Sequence, residues 1–170
     1  MLRGRRSSYP SGNIKVMEIT IRKASEADLA AVVKLSQDWE AENSTHGYTA
    51  SPAEEYADWD LWVLQINGEI AGYASGYEHL QQQQTTVVPS GTRTFELEEL
   101  YIKPEFRSQG LGTRLLQHVE QGLTSRGITM LLLSTANKDH RAALNFYIDQ
   151  NAMSFWNARL YKRLKEAGDA

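Results

Sequence analysis

Arg107, Gly110 and Gly112 are spaced Arg-x-x-Gly-x-Gly in "RSQGLGTRLL" (107–116), directly after a run ending "LYIKPEF". Glycine is weaker than alanine in a helix by about 1 kcal/mol, yet two stand where helical apolar spacing begins. The chemistry such a place allows is anion binding. The first amides of a helix have no partners within it and carry the positive end of its dipole. Glycine lets a bulky anion reach that bare backbone, and Arg107 and Arg114 add positive charge nearby. A phosphate or pyrophosphate site is therefore expected here. A Walker A loop is absent, and the third glycine of a dinucleotide fingerprint is replaced by Leu115. Taken alone, the pair also suits a tight strand-to-helix turn with no ligand.

Other residues could move protons. "FELEEL" supplies Glu96, Glu98 and Glu99. In a regular strand Glu96 and Glu98 share one face and Glu99 takes the other; a bulge would shift that parity. They are candidate general bases or solvent-facing sheet charges. Tyr147 carries a phenol whose ordinary pKa of about 10 keeps it protonated at neutral pH. It can donate a proton, or pack as a helix aromatic. Asp38, Glu40, Glu42, Glu54, Glu55, Asp58 and Asp60 accompany Trp39, Tyr48, Tyr56 and Trp59. That mixture would favour a cationic partner through charge and cation–π contacts, or is a solvated helix face. With no cysteine there is no thiol nucleophile or disulfide framework. His46, His79, His118 and His140 lack metal-site spacing, so no metal is expected.

The elements that would position these groups follow from periodicity. "MEITIRKA" (17–24) alternates as a strand. "SEAD" (25–28) is a capping-box pattern in which Asp28 reaches back to Ser25. Leu29, Val32, Val33, Leu35 and Trp39 then form a helical stripe. "SPAE" (51–54) repeats the start signal and predicts a short second helix to about Ala57. "LWVLQI" (61–66), Asn67-Gly68 and "EIAGYASGYE" (69–78) form a hairpin pattern with a type I′ turn. The polar stretch 79–93 reads as a connection. "TFELEELYI" (94–102) is the next strand, followed by a helix with Leu111, Leu115, Leu116, Val119 and Leu123 on one face. Gly127 suits a left-handed cap. "ITMLLLST" (128–135) reads as a strand buried on both faces, "HRAALNFYID" (140–149) as a helix and "SFWNARLYKRL" (154–164) as a final strand. A helix between strands 94–102 and 128–135 is a βαβ unit with parallel pairing.

The 170 residues suit one domain, and 41% hydrophobic with 23% charged residues is a globular balance. Residues 1–16 hold about +4 and the remainder about −7 of the net −3. The division expected is a flexible lead-in over 1–16 and a domain over 17–166, with Met17 a candidate true start. The domain shows no basic face, so no nucleic-acid partner is expected. No apolar run is long enough to cross a membrane and no secretory signal is present. A cytoplasmic location is expected.

The Arg107–Gly110–Gly112 motif after "LYIKPEF" resembles the acyl-CoA-binding motif of the GCN5-related N-acetyltransferase (GNAT) superfamily. "ITIRKASEADLAAVVKL" is similar to that family's first strand and helix. "ALNFYIDQNAM" resembles its Ala-x-x-Phe-Tyr-x-x-x-Gly-Phe segment. The resemblance spans most of 18–164. It implies an α/β fold with a mixed, mostly antiparallel sheet, flanking helices and a central βαβ unit for acyl-CoA. It implies an N-acetyltransferase that moves an acetyl group from acetyl-CoA to a primary amine by direct attack. The amine would be a small molecule or a peptide. A non-catalytic CoA-binding or regulatory domain of the same fold is the alternative. By resemblance, the pyrophosphate rests on the backbones of Gln109, Gly110, Leu111, Gly112 and Thr113 beside Arg107, and the pantetheine on Leu100, Tyr101 and Ile102. Glu98 first, then Glu96, is the expected base, and Tyr147 the expected proton donor to the departing thiolate. "NAM" (151–153) stands where the family commonly has Gly-Phe. His140 stands where it often has Asn, with Asn137 three residues earlier; both are carried as cofactor-side candidates. One strand after the last helix, where the family commonly has two, leaves an edge that a partner subunit could supply in a homodimer.

Overall fold

A computed structural model describes residues 17–162. The lead-in expected over 1–16 and the end of the expected domain at 163–166 lie outside the described residues. Asn67 and Gly68 stand at φ 51° and 85°, the pair of left-handed residues a type I′ turn requires. They fold β2 (Asp60–Ile66) back onto β3 (Glu69–Leu80). β1 (Ile19–Lys23) pairs antiparallel with β2, and β4 (Arg93–Ile102) antiparallel with β3. β5 (Met130–Leu132) joins β4 in parallel, so spatial order follows chain order, β1-β2-β3-β4-β5.

One helix covers each face. α1 (Leu29–Glu42) packs Val32 and Leu35 on Val63, Tyr73 and Tyr101. Its entry is held by Asp28, whose Oδ2 accepts from the Ser25 N–H at 2.7 Å. Arg22 grips the same carboxylate with both terminal nitrogens, at 2.7 and 2.9 Å. α2 (Leu111–Ser125) buries Leu111, Leu115, Leu116, Val119 and Leu123 against Trp62, Leu64, Phe95 and Leu97. Each such side chain contributes about 1.5–3 kcal/mol on leaving water. Past the end of α2, Gly127 N–H bonds Thr124 O and Ile128 N–H bonds Leu123 O. This Schellman closure turns the chain into β5. α3 (His140–Leu144) continues as a π-helical turn over Asn145–Gln150.

Four expectations are corrected. The second helix is a single 3-10 turn, Glu55–Ala57. Only a few residues separate Pro52 from β2, too few to repay helix nucleation. The strand expected over 128–135 pairs only at Met130–Leu132. Its residues are half-buried rather than buried on both faces, because β5 is the edge strand of this sheet. The last helix is regular only to Leu144. Finally, residues 154–162 form no strand; none of them pairs with a neighbouring edge, and Leu160 is 95% exposed.

Candidate active site

The sheet opens where the βαβ unit lies. β4 and β5 pair at Thr94–Met130, Phe95–Leu131 and Glu96–Leu132, and no further. Opposite, the β3–β4 register slips: Ser75 faces Glu99 while Gly76 faces Leu97, which leaves Glu98 as the extra residue of a bulge. Beyond it β4 stays with β3 and keeps its other edge unpaired. The Lys103 N–H turns to Ala71 O at 2.9 Å. Backbone polar groups alternate sides along a strand, so those of Leu100 and Ile102 point to the open edge and those of Tyr101 toward β3.

A cleft of about 530 Å³ occupies this opening. Its floor is Leu97, Glu98, Leu100 and Ile102 of β4; one end is Arg107, Ser108 and Gly110–Thr113, and α3 with its π turn brings Phe146 and Tyr147. Trp39, His46 and Tyr48 form the far wall. Ser108 and Gly110 both stand at left-handed φ, 59° and 74°. The first helical bond of α2 is Arg114 N–H to Gly110 O at 3.1 Å. None of the backbone N–H groups of Ser108–Thr113 donates to a protein acceptor among the described residues. Gly112 has a packing reason as well: a Cβ there would meet the Phe146 ring at 3.1 Å.

Several residues are occupied in ways sequence spacing does not show. The Arg107 guanidinium bonds both Glu42 oxygens at 2.9 Å and sends Nε to Ile102 O at 2.8 Å. It therefore ties the loop to the end of α1 while still lining the cleft. Tyr101 donates to the same Glu42 at 2.6 Å from the α1 face. Asn137 lines the cleft, but its Oδ1 accepts from Asp139 N–H at 2.8 Å. A bridge from Asn137 to Thr45 ties this segment to the loop after α1. Tyr101, Gln109, His140 and Glu96 are not among the lining residues. Glu96 is half-buried on the α1 face, where burial and then the charge of Glu98 raise its carboxyl above the ordinary value. Burial pushes the Tyr147 phenol up to about 12, so it holds its proton throughout the neutral range.

Glu99 gains a setting that alternation alone concealed. The bulge turns it into the α1 face, where it is 4% exposed. Its carboxylate accepts from Tyr48, Ser51, Tyr56 and Ser75 at 2.7, 3.3, 2.8 and 3.0 Å. Tyr48 and Tyr56 were visible in the sequence as aromatics among acids, but nothing in their spacing aimed them at Glu99.

Among the described residues no group of His, Cys, Asp and Glu is placed to hold a metal ion. None of the described helices is long and apolar enough to cross a membrane. The sequence model of the Acetyltransferase (GNAT) family matches residues 33–151. A thialysine N-epsilon-acetyltransferase from Bos taurus is 28% identical over 78 residues, 46% of this chain and 45% of the relative. The match thus spans under half the length of that curated relative. The fold is similar to an aminoglycoside acetyltransferase from an uncultured soil metagenomic sample, with TM-score 0.65, 20% identity, 86% of this chain and 97% of that one. An aminoglycoside N-acetyltransferase in complex with CoA gives TM-score 0.67 at 14% identity over 88% and 97%. The ribosomal-protein-alanine N-acetyltransferase of Brucella melitensis biovar Abortus 2308 gives 0.61 at 14% over 86% and 100%.

Proposed function

The chain belongs to the Acetyltransferase (GNAT) family, and from that premise we propose that it transfers an acetyl group from acetyl-CoA to a primary amine. One observation carries the reading: Ser108 and Gly110–Thr113, whose amides are free, line the same cleft as the unpaired edge of β4. A diphosphate needs several donors at a helix start, and an extended amide-bearing arm needs a strand edge. The residues present fit both halves of acetyl-CoA. Bound there, acetyl-CoA supplies an acyl thioester.

The chain's own groups then have distinct work. Leu111, Gly112 and Thr113 offer amides to the diphosphate. Leu100 presents its N–H at the open edge, where a donor aimed at developing negative charge is worth a few kcal/mol. Glu98 stands exposed on the bulge in the cleft floor and takes the proton of the attacking amine, directly or through a water. Tyr147 holds a proton at its hydroxyl for the departing thiolate. The acceptor is a cationic small molecule or peptide amine, a class supported by the acids and aromatics around α1.

The rival is a non-catalytic CoA-binding domain. It is favoured by His140 lying outside the cleft, where the family motif would put an amide side chain. A thiol-release assay with acetyl-CoA across a panel of amines decides between them. Amine-dependent release is expected; retention on immobilised CoA without transfer to any amine would establish the rival.

A further inference from the structure

Glu99 is a buried carboxylate with no cation beside it. No Lys, Arg or His forms an ion pair with it among the described residues. Taking such a charge out of water costs several kcal/mol even after relaxation. Hydroxyl donors offset part of that cost, and here four converge on it. Burial, then the Glu99 charge, raises the phenols of Tyr48, Tyr56 and Tyr73. They remain neutral donors to the carboxylate.

That charge is coupled to the cleft through one side chain. Tyr48 donates to Glu99 at 2.7 Å and is itself a residue of the cleft wall. Its ring stacks on Trp39 with centroids 4.2 Å apart and planes 27° apart; Trp39 also lines the cleft. A phenol donating to a carboxylate gains electron density on its ring, which strengthens the ring's attraction for a cation. The wall facing the acyl-transfer floor is thus aromatic in surface and anionic behind.

We infer that Glu99 is a specificity-determining residue, acting through Tyr48, which selects an acceptor amine bearing a second, cationic group seated on the Trp39–Tyr48 wall. The inference rests on the transferase reading for the word acceptor, but its test reads binding. The reacting nitrogen must give up its proton at Glu98, so the charge held at the wall belongs to another group of the same molecule.

The probes are diaminobutane and aminobutanol, which differ only in a second ammonium against a hydroxyl. Each is titrated calorimetrically into the full chain saturated with CoA. The native chain should bind the diamine about tenfold more tightly, the scale of a partly desolvated cation–π contact. Glu99→Gln should bring the two within about twofold while the affinity for CoA stays unchanged. Tyr48→Phe keeps the ring, loses the hydroxyl link and should lose most of the preference; it decides the matter if Glu99→Gln does not melt cooperatively. A native preference that survives Glu99→Gln, or Tyr48→Phe where that variant decides, overturns the inference, as does equal binding of both probes by the native chain. Diamine preference without acetyl transfer would overturn the transferase reading and leave this one standing.

Discussion

The Phe146 ring lies 3.1 Å from where a Cβ on Gly112 would stand. The second glycine of the motif therefore seats the π turn after α3 against the start of α2, closing one side of the cleft. Alanine at 112 would gain up to about 1 kcal/mol of helix propensity and meet overpacking of about 1–3 kcal/mol. Gly112→Ala should destabilise the native chain yet stabilise a Phe146→Ala background. A double-mutant cycle by urea denaturation should give a coupling above about 0.5 kcal/mol; additive effects would show that the contact carries no energy.

Gly110 separates backbone strain from charge. It caps α2 at φ 74°, and a Cβ there meets nothing within 4 Å. Gly110→Ala should cost about 1–2 kcal/mol for the left-handed conformation and leave CoA binding largely intact. Gly110→Glu adds a carboxylate beside the free amides, so CoA affinity should fall more than about tenfold beyond the alanine variant. Equal affinities in the two variants would remove the diphosphate from this end of the cleft.

Glu98 and Glu96 are told apart by their settings. Glu98 lines the cleft on the bulge, whereas Glu96 sits half-buried outside it. Glu98→Gln should lower kcat by about 10²–10⁴-fold below the amine's own pKa, where a base is needed. The loss should shrink as the amine deprotonates itself. Glu96→Gln should change kcat far less. A pH–rate profile identical to the native one in Glu98→Gln would end its role as base.

Tyr147 offers a phenol held up to about 12 by burial. Tyr147→Phe should slow turnover more than about tenfold, in the range of a lost general acid, while CoA affinity is kept. Because the phenol stays protonated well above neutrality, the ratio of native to variant rates should be flat from pH 6 to 10. Unaltered turnover would return Tyr147 to a packing role.

Asp28 sets an acid limit on stability. The Arg22 guanidinium, with help from Ser25, holds its carboxyl well below the ordinary range. The unfolded chain binds that proton first, so the contribution is complete above the ordinary carboxylate pKa and is lost as pH falls through the depressed folded value. Asp28→Asn should cost about 1–2 kcal/mol at pH 7, roughly a 2–8 °C fall in Tm. The native and variant melting curves should converge toward pH 2; a constant gap across that range would assign the loss to packing instead.

Local features of the chain were legible in its sequence. The α2 stripe, the Asn67-Gly68 turn, the Asp28 reach to Ser25 and the Gly127 closure depend on neighbours a few residues apart, and each formed where spacing placed it. The parallel β4–β5 pairing is legible too, because a helix between two apolar runs leaves little other way to return. Local spacing does not reach a segment whose structure is settled by a distant partner. Residues 51–57 needed length to be a helix, and Tyr56 is held instead by Glu99, 43 residues away.

The sequence by itself determined that a glycine-bearing helix start follows a strand, and hence that bare amides are expected at residues 110–113. Periodicity and propensity act within a turn or two of chain, so they suffice for that. Only the tertiary structure decided which glutamate faces the cleft. One extra residue at Glu98 reverses the alternation of β4, exposing Glu98 in the opening and sinking Glu99 beneath Tyr48. A bulge is fixed by how two strands register against each other and against the helices on either face. That information is held by no short stretch of the chain.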